Sequence, residues 1–315
     1  MASEEVELTT DSLHETELGL DHVFTLDHEV AIGTGRRIYV RESFTLASLL
    51  RFPRRSILMA GATPVTGDFY DPPFDGYRAS ERLARRGFFV FVADQEGSGR
   101  SSFPDDGFAV TYASQTDAMR RVVDWIRNRR QVAGVDLVNE SIAGVFAMPL
   151  CGEPQRVRSC TVASMLYRTG TEFFNAVFNS PEFRAFILGS PNGYLTTVPD
   201  TYFNIVAAAS PDMATWVRDT MPGPYAAGML VEDLNTNFGM LDPTGARVPG
   251  LVIRGEHDQN VPPSDTEELA AAYGSLHGAG PARLVAIPGG GHAARIEPQP
   301  RGQQYWDAVV DFVDP

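Results

Sequence analysis

Val135-Asp136-Leu137-Val138-Asn139-Glu140-Ser141-Ile142-Ala143-Gly144 is the stretch on which the fold turns. Val135–Val138 reads as a buried strand, and the apolar pattern from Ile142 to Leu150 opens a helix. Between them lies a tight turn with Ser141 at its tip. A strand, a sharp turn carrying serine and a helix lift the serine Oγ clear of the sheet and aim the helix N-terminus at it. The residues two before and two after such a serine have to be small. Ala143 meets that need. Asn139 does so less well, although asparagine tolerates a positive φ better than most residues. A serine that merely caps a helix gives the same local pattern, so this segment alone leaves both readings open.

The flanking chain alternates strand and helix. Residues 22–44 predict two antiparallel strands turning at Gly33-Thr34-Gly35. Ser56–Ala60, Phe88–Ala93, Val157–Ala163, Gly250–Arg254 and Arg283–Ile287 read as further strands. Helical patterns cover 76–86, which ends at Gly87, and 114–130, with Ser114 as its N-cap. They cover 264–274 and 302–313 as well. Such a rhythm predicts an α/β fold, a mostly parallel sheet with helices on both faces. Residues 165–247 break it. They are rich in aromatics, among them Phe173, Phe174, Phe178, Phe183, Phe186 and Trp216, and are often cut by Pro and Gly.

Ligands of such sheets bind beyond the carboxyl ends of the strands, so the residues just after each strand matter most. Asp258 follows one strand in Gly255-Glu256-His257-Asp258. His292 follows the last, after Pro288-Gly289-Gly290-Gly291. A carboxylate on one loop can orient a histidine on another. Serine, acid and histidine, each directly after a strand and in that chain order, are the arrangement of one particular fold.

On these residues the chain resembles the α/β-hydrolase superfamily, in its serine-nucleophile branch with a cap. The resemblance runs from about residue 22 to 313, apart from the insertion. Asp94-Gln-Glu-Gly-Ser-Gly-Arg-Ser101 is similar to the family's turn after its fourth strand. Gly255–Asp258 is similar to its acid turn, and Gly-Gly-His292 to its histidine loop. Met59-Ala60-Gly61-Ala62 stands where such enzymes open the oxyanion loop. The resemblance implies an α/β-hydrolase fold with an inserted, mainly helical cap. Its parts would be a polar N-terminal arm (1–21), a core (22–164 and 248–315) and a cap or lid (165–247). It also implies Ser141 as nucleophile, His292 as base and Asp258 as its orienting acid. The N–H groups of Ala62 and Ile142 would hold an oxyanion. Gly61, Phe173, Phe174 and Phe178 would line the substrate pocket.

The family's G-x-S-x-G reads N-E-S-I-A here, with neither glycine kept, and its His-Gly reads Ala60-Gly61. Glu140 is expected to point outward and be solvated. The serine argues against the epoxide-hydrolase and haloalkane-dehalogenase branches. The implied activity is hydrolysis of an ester, thioester or lactone of a medium-sized, largely apolar substrate. The rival readings are a non-hydrolytic lyase or cyclase of a natural-product pathway, and a silent ligand-binding member.

Composition narrows the alternatives. The net charge is −14 and all 26 cations are arginine. With no lysine, Schiff-base, pyridoxal-phosphate and Walker-A chemistries are excluded. The acidic balance argues against a nucleic-acid partner. No apolar run approaches the roughly 18 residues of a membrane helix. The start, MASEEVELTTDSLHETELGLD, reads as an acidic arm rather than a secretory signal. No zinc-type Cys/His spacing is present, so neither metal nor other cofactor is expected. Cys151 and Cys160 could pair, but the reading favoured is two buried thiols of a cytoplasmic protein. The expected partner is a small-molecule substrate, with no membrane, and the sequence leaves monomer or homodimer open.

Overall fold

The computed structural model describes residues 19–61, 65–168, 170–197, 211–220, 223–236, 239 and 241–314. Ten strands and ten helices can be numbered in chain order. The strands are β1 (Phe24–Gly33), β2 (Arg36–Phe44), β3 (Ser56–Ala60), β4 (Phe89–Ala93), β5 (Val135–Glu140), β6 (Val157–Ala163), β7 (Tyr194–Leu195), β8 (Tyr225–Ala226), β9 (Gly250–Gly255) and β10 (Arg283–Ile287). The helices are α1 (Leu46–Leu50), α2 (Ala79–Arg85), α3 (Tyr112–Arg130), α4 (Ile142–Ala147), α5 (Glu172–Phe178), α6 (Pro181–Leu188), α7 (Pro211–Thr220), α8 (Gly228–Thr236), α9 (Pro263–Ala272) and α10 (Arg301–Val313).

Eight strands form one sheet in the order β1-β2-β4-β3-β5-β6-β9-β10. Only β2 runs opposite to the other seven strands; the pairs from β4 to β10 are all parallel. Period-two alternation sorts each strand between two cores. Leu58, Phe91 and Leu137 pack with Val122 and Ile126 of α3 and Phe146 of α4. Ile57, Met59, Val90 and Val92 pack on the other face with Leu83 of α2 and Val309 of α10. Helices therefore cover both faces, as the sequence predicts. No helix among the described residues is long and apolar enough to cross a membrane.

Residues 165–247 supply α5–α8 and a separate two-stranded ribbon, β7-β8. Their start is tied to the core. Asp265 accepts the Tyr167 and Arg168 N–H groups, at 2.5 and 2.7 Å, and Thr171 N–H donates to Asn260 O at 2.9 Å.

Two sequence readings are corrected. Helix α3 begins two residues early, with Thr111 as N-cap. Thr111 Oγ1 accepts the Ser114 N–H and Ser114 Oγ accepts the Thr111 N–H, so Ser114 is the second half of a capping box. Cys151 and Cys160 are a disulfide, not two thiols. The turn at Glu153–Arg156 reverses the chain, so that their Cα atoms stand 6.0 Å apart, within bridging range.

Candidate active site

The Ser141 turn is built as its sequence requires. Ser141 adopts φ 52°, ψ −133°. A non-glycine residue in such a conformation costs on the order of 1–3 kcal/mol and persists only where its surroundings over-determine it. Here they do. Ser141 N–H donates to Ala163 O at 2.9 Å, and Ser141 O accepts the Gly144 N–H at 2.9 Å. Asn139 replaces a small residue because its side chain is used: Oδ1 accepts the Ala60 N–H at 3.0 Å, tying the end of β3 to β5. Ser141 is half-buried at the tip, and Ile142, first in α4, has an N–H without an intrahelical acceptor.

The small residue that this turn depends on is Gly144, which the sequence reading passed over. A Cβ there would lie 1.8 Å from Met165 Sδ. Gly144→Ala should therefore destabilise the fold by about 1–3 kcal/mol through overpacking. A thermal melt of the variant within a degree of the wild type would contradict this.

Asp258 and His292 meet across two loops. Both Asp258 oxygens lie 3.0 Å from His292 Nδ1. Asp258 Oδ1 also accepts the Asn260 and Val261 N–H groups, at 2.9 and 3.1 Å. The two loops touch so closely that a Cβ on Gly255 would lie 2.1 Å from Gly291 O. Burial works against the charge on His292, but the Asp258 carboxylate, helped by Glu140, outweighs it and raises the imidazole pKa. Burial likewise opposes the Asp258 charge. His292 and the two backbone donors prevail and hold its carboxyl below the ordinary value. Ser164 Oγ donates to His292 O at 2.5 Å, and Ser164 follows Ala163, the partner of Ser141. The end of β6 thus joins the serine turn to the histidine loop. Among the described residues no hydrogen bond links the Ser141 hydroxyl to the His292 ring.

Glu140 is a correction. It is not solvated; its side chain is 6% exposed and faces Arg295, itself 2% exposed, with N···O 2.9 Å. Strand alternation turns Glu140 inward beneath Ser141, where Arg295, three residues after His292, comes to meet it. The Arg295 guanidinium stacks over Phe69 and Tyr70, 4.5 and 4.7 Å from the ring centres. Burial pushes the Glu140 carboxyl up against the pull of Arg295. An arginine inside the apolar run Ala293-Ala294-Arg295-Ile296 was the available sequence signal. Because Glu140 adds to the negative field on His292, Glu140→Gln should lower the imidazolium pKa. An NMR titration of His292 that shows no downward shift in the folded variant would refute this.

The other sequence-predicted residues are spread around this centre. Gly61 directly follows β3; its N–H donates to Ala93 O at 3.0 Å and its carbonyl accepts from Gln95 Nε2. Ala62 lies outside the described residues. Phe174 and Phe178 are buried and stacked, with ring centres 4.0 Å apart, and Phe183 packs on Phe178 at 4.6 Å. Phe173, by contrast, is exposed. Asp94 accepts the Gly67 and Arg100 N–H groups, and Arg100 lies over Tyr39, so Arg100 stabilises the turn after β4. Among the described residues no three His, Cys, Asp or Glu side chains gather as a metal-binding group.

The model of the alpha/beta hydrolase family matches residues 46–303. The chain belongs to that family. Among solved structures it is similar to the enol-lactonase from Burkholderia xenovorans LB400, at 19% identity, covering 90% of this chain and 99% of that one, with a TM-score of 0.61. It is similar to Est816, described as an N-acyl homoserine lactone degrading enzyme, at 20% identity, 90% and 100% coverage and a TM-score of 0.61. It is also similar to the esterase from Exiguobacterium antarcticum, at 16% identity, 92% and 100% coverage and a TM-score of 0.64. At these identities the likeness is one of fold. No curated protein matches the chain.

Proposed function

We propose that this alpha/beta hydrolase family member cleaves an ester, thioester or lactone of a medium-sized, largely apolar molecule through an acyl-enzyme on Ser141. The observation that carries the reading is the buried Asp258–His292 hydrogen bond on loops joined through Ser164 to the strained Ser141 turn. Structural likeness to an enol-lactonase and to an esterase supports the substrate class.

In this mechanism His292 Nε2 takes the Ser141 proton as Oγ attacks the carbonyl carbon. Asp258 holds Nδ1–H and stabilises the imidazolium that forms. The Ile142 N–H, with that of Ala62, receives the developing oxyanion; such a donor is worth about 3 kcal/mol in the transition state. His292 then protonates the leaving oxygen or sulfur, and water, deprotonated by the same imidazole, releases the acid. Residues 165–247 act as the cap. Gly61, Phe173, Phe174 and Phe178 are assigned to the acyl pocket, whose apolar lining selects apolar acyl groups.

A fluorophosphonate probe tests the reading directly, because it phosphonylates only an activated serine. Peptide mapping should find the adduct on Ser141. An unmodified Ser141 in a preparation that still hydrolyses nitrophenyl esters would overturn the assignment.

A further inference from the structure

The opposite edge of the sheet, at the amino ends of β3, β5 and β6, holds a second concave site. The Arg51–Arg55 loop before β3, the 131–134 turn before β5 and Arg158 on β6 enclose a cavity of about 630 Å³. The six residues of β5 separate it from Ser141, roughly 20 Å at ~3.3 Å per residue. Nothing in the reaction above uses it.

Its lining combines two chemistries. Arg51, Arg54, Arg55 and Arg158 supply four cations on a chain of net charge −14. Among the described residues the carboxylates facing them are Asp314, which pairs with Arg51 and Arg55 at 2.5 and 3.2 Å, and Asp136. Asp136 pairs with Arg158 and lies 4.0 Å from Arg55. Four cations against two carboxylates leave a local surplus of positive charge. Arg55 Nε and Nη2 and Arg158 Nε are buried with no hydrogen-bond partner among the described residues. Burial and the neighbouring Arg158 charge together push the Arg55 pKa down, so the guanidinium is under-compensated where it stands. Arg51 and Arg55 both lie over the Phe88 ring, at 4.9 and 5.9 Å, which limits how they can turn away. Beside the cations are exposed apolar side chains: Phe52 is 96% exposed and Leu50 76%. These two side chains put apolar surface beside the cations, at the rim of the same cavity.

We propose that this cavity is an accessory binding site for a small amphipathic anion, a carboxylate or phosphate monoester carrying an apolar chain. Guanidinium forks suit such oxygens. The head would sit against Arg55 and Arg158, and Leu50 and Phe52 would cover the chain. A concave shape lined by a surplus of cations favours a small ligand that enters it, rather than a flat membrane surface.

Calorimetric titration of the intact protein tests this with octanoate, octyl phosphate, octanol and inorganic phosphate. The two amphipathic anions should bind with Kd on the order of 0.1 mM, more weakly as salt rises. Octanol and inorganic phosphate should bind at least roughly tenfold more weakly. Arg55→Gln with Arg158→Gln should raise Kd about tenfold or more. Because that pair neighbours buried Asp136, the exposed pair Phe52→Ser with Arg54→Gln provides a variant without a folding risk. It should weaken binding several-fold, and hydrogen exchange in 49–55 and 131–134 should slow on binding in the wild type. Unchanged binding in the exposed pair would place the anion elsewhere and overturn the proposal. Octanol binding as tightly as octanoate would do the same. So would capture by phosphatidylglycerol vesicles without binding of monomeric octyl phosphate, which would make the surface a membrane contact.

Discussion

Ser141→Ala should lower kcat for nitrophenyl-ester hydrolysis by about 10⁴- to 10⁶-fold while leaving KM within a few-fold of the wild type. The asymmetry follows from what the hydroxyl does. In the proposed mechanism it forms a bond only along the reaction coordinate, so its loss removes transition-state stabilisation and little ground-state binding. The residual rate would come from substrate positioning and the backbone N–H of Ile142, neither of which the substitution touches. The fold should tolerate the change, because the serine side chain is half-buried and its backbone bonds to Ala163 and Gly144 remain. Alanine at φ 52° carries the same backbone strain as serine. A variant that melts with the wild type yet turns over within tenfold of it would remove Ser141 from the chemistry. The Asp258–His292 pair would then have to serve as an acid/base couple on its own.

The parts of this molecule that follow periodicity were readable in advance. The strands at 56–60 and 157–163 stand where apolar runs predict them, because burial between two helical layers leaves a largely apolar signature, and the half-exposed edge strand at 283–287 also stands where predicted. The order of Ser141, Asp258 and His292, after β5, β9 and β10, was readable from the same strand pattern. What pattern could not show depends on contacts between distant segments. Glu140 looks like a surface residue in sequence, and only the meeting of β5 with the loop after His292 supplies the arginine that lets it be buried. Gly144 is needed because Met165 comes from another strand end, and Asn139 because its side chain reaches β3. The Cys151–Cys160 bridge required knowing that the chain doubles back after α4. In each case one partner was visible and the other was set by the tertiary fold.

Asp258→Asn should cost about 10⁴-fold in kcat and move the acid limb of the kcat/KM profile to lower pH. The carboxylate accepts a hydrogen bond from Nδ1–H and so fixes the tautomer whose Nε2 is free to take a proton. An asparagine amide can donate to Nδ1 instead, leaving Nε2 protonated and useless as a base. The pH shift has a definite sign. The His292 pKa is raised above its ordinary 6.5 in the folded protein, with Asp258 the strongest influence in that direction. Turnover needs the neutral imidazole, so the wild-type rate should climb only as pH passes that raised value, and removal of the Asp258 charge should bring the climb down. Stability runs the other way. A raised histidine pKa contributes stability that is complete below 6.5 and fades as pH rises through the folded value. The depressed Asp258 pKa contributes stability that is complete above 3.8 and is lost as pH falls through its folded value. Both are intact between about pH 4 and 6.5, so the melting-temperature gap between wild type and Asp258→Asn should be widest near pH 5 and narrower at pH 9. A gap that widens toward pH 9, or an acid limb that stays in place, would show that the Asp258 charge is not what holds the His292 proton. On the proposed mechanism the pair is thus strongest where turnover is slowest, because the imidazolium that Asp258 stabilises is the product of the proton transfer and not the form that begins it.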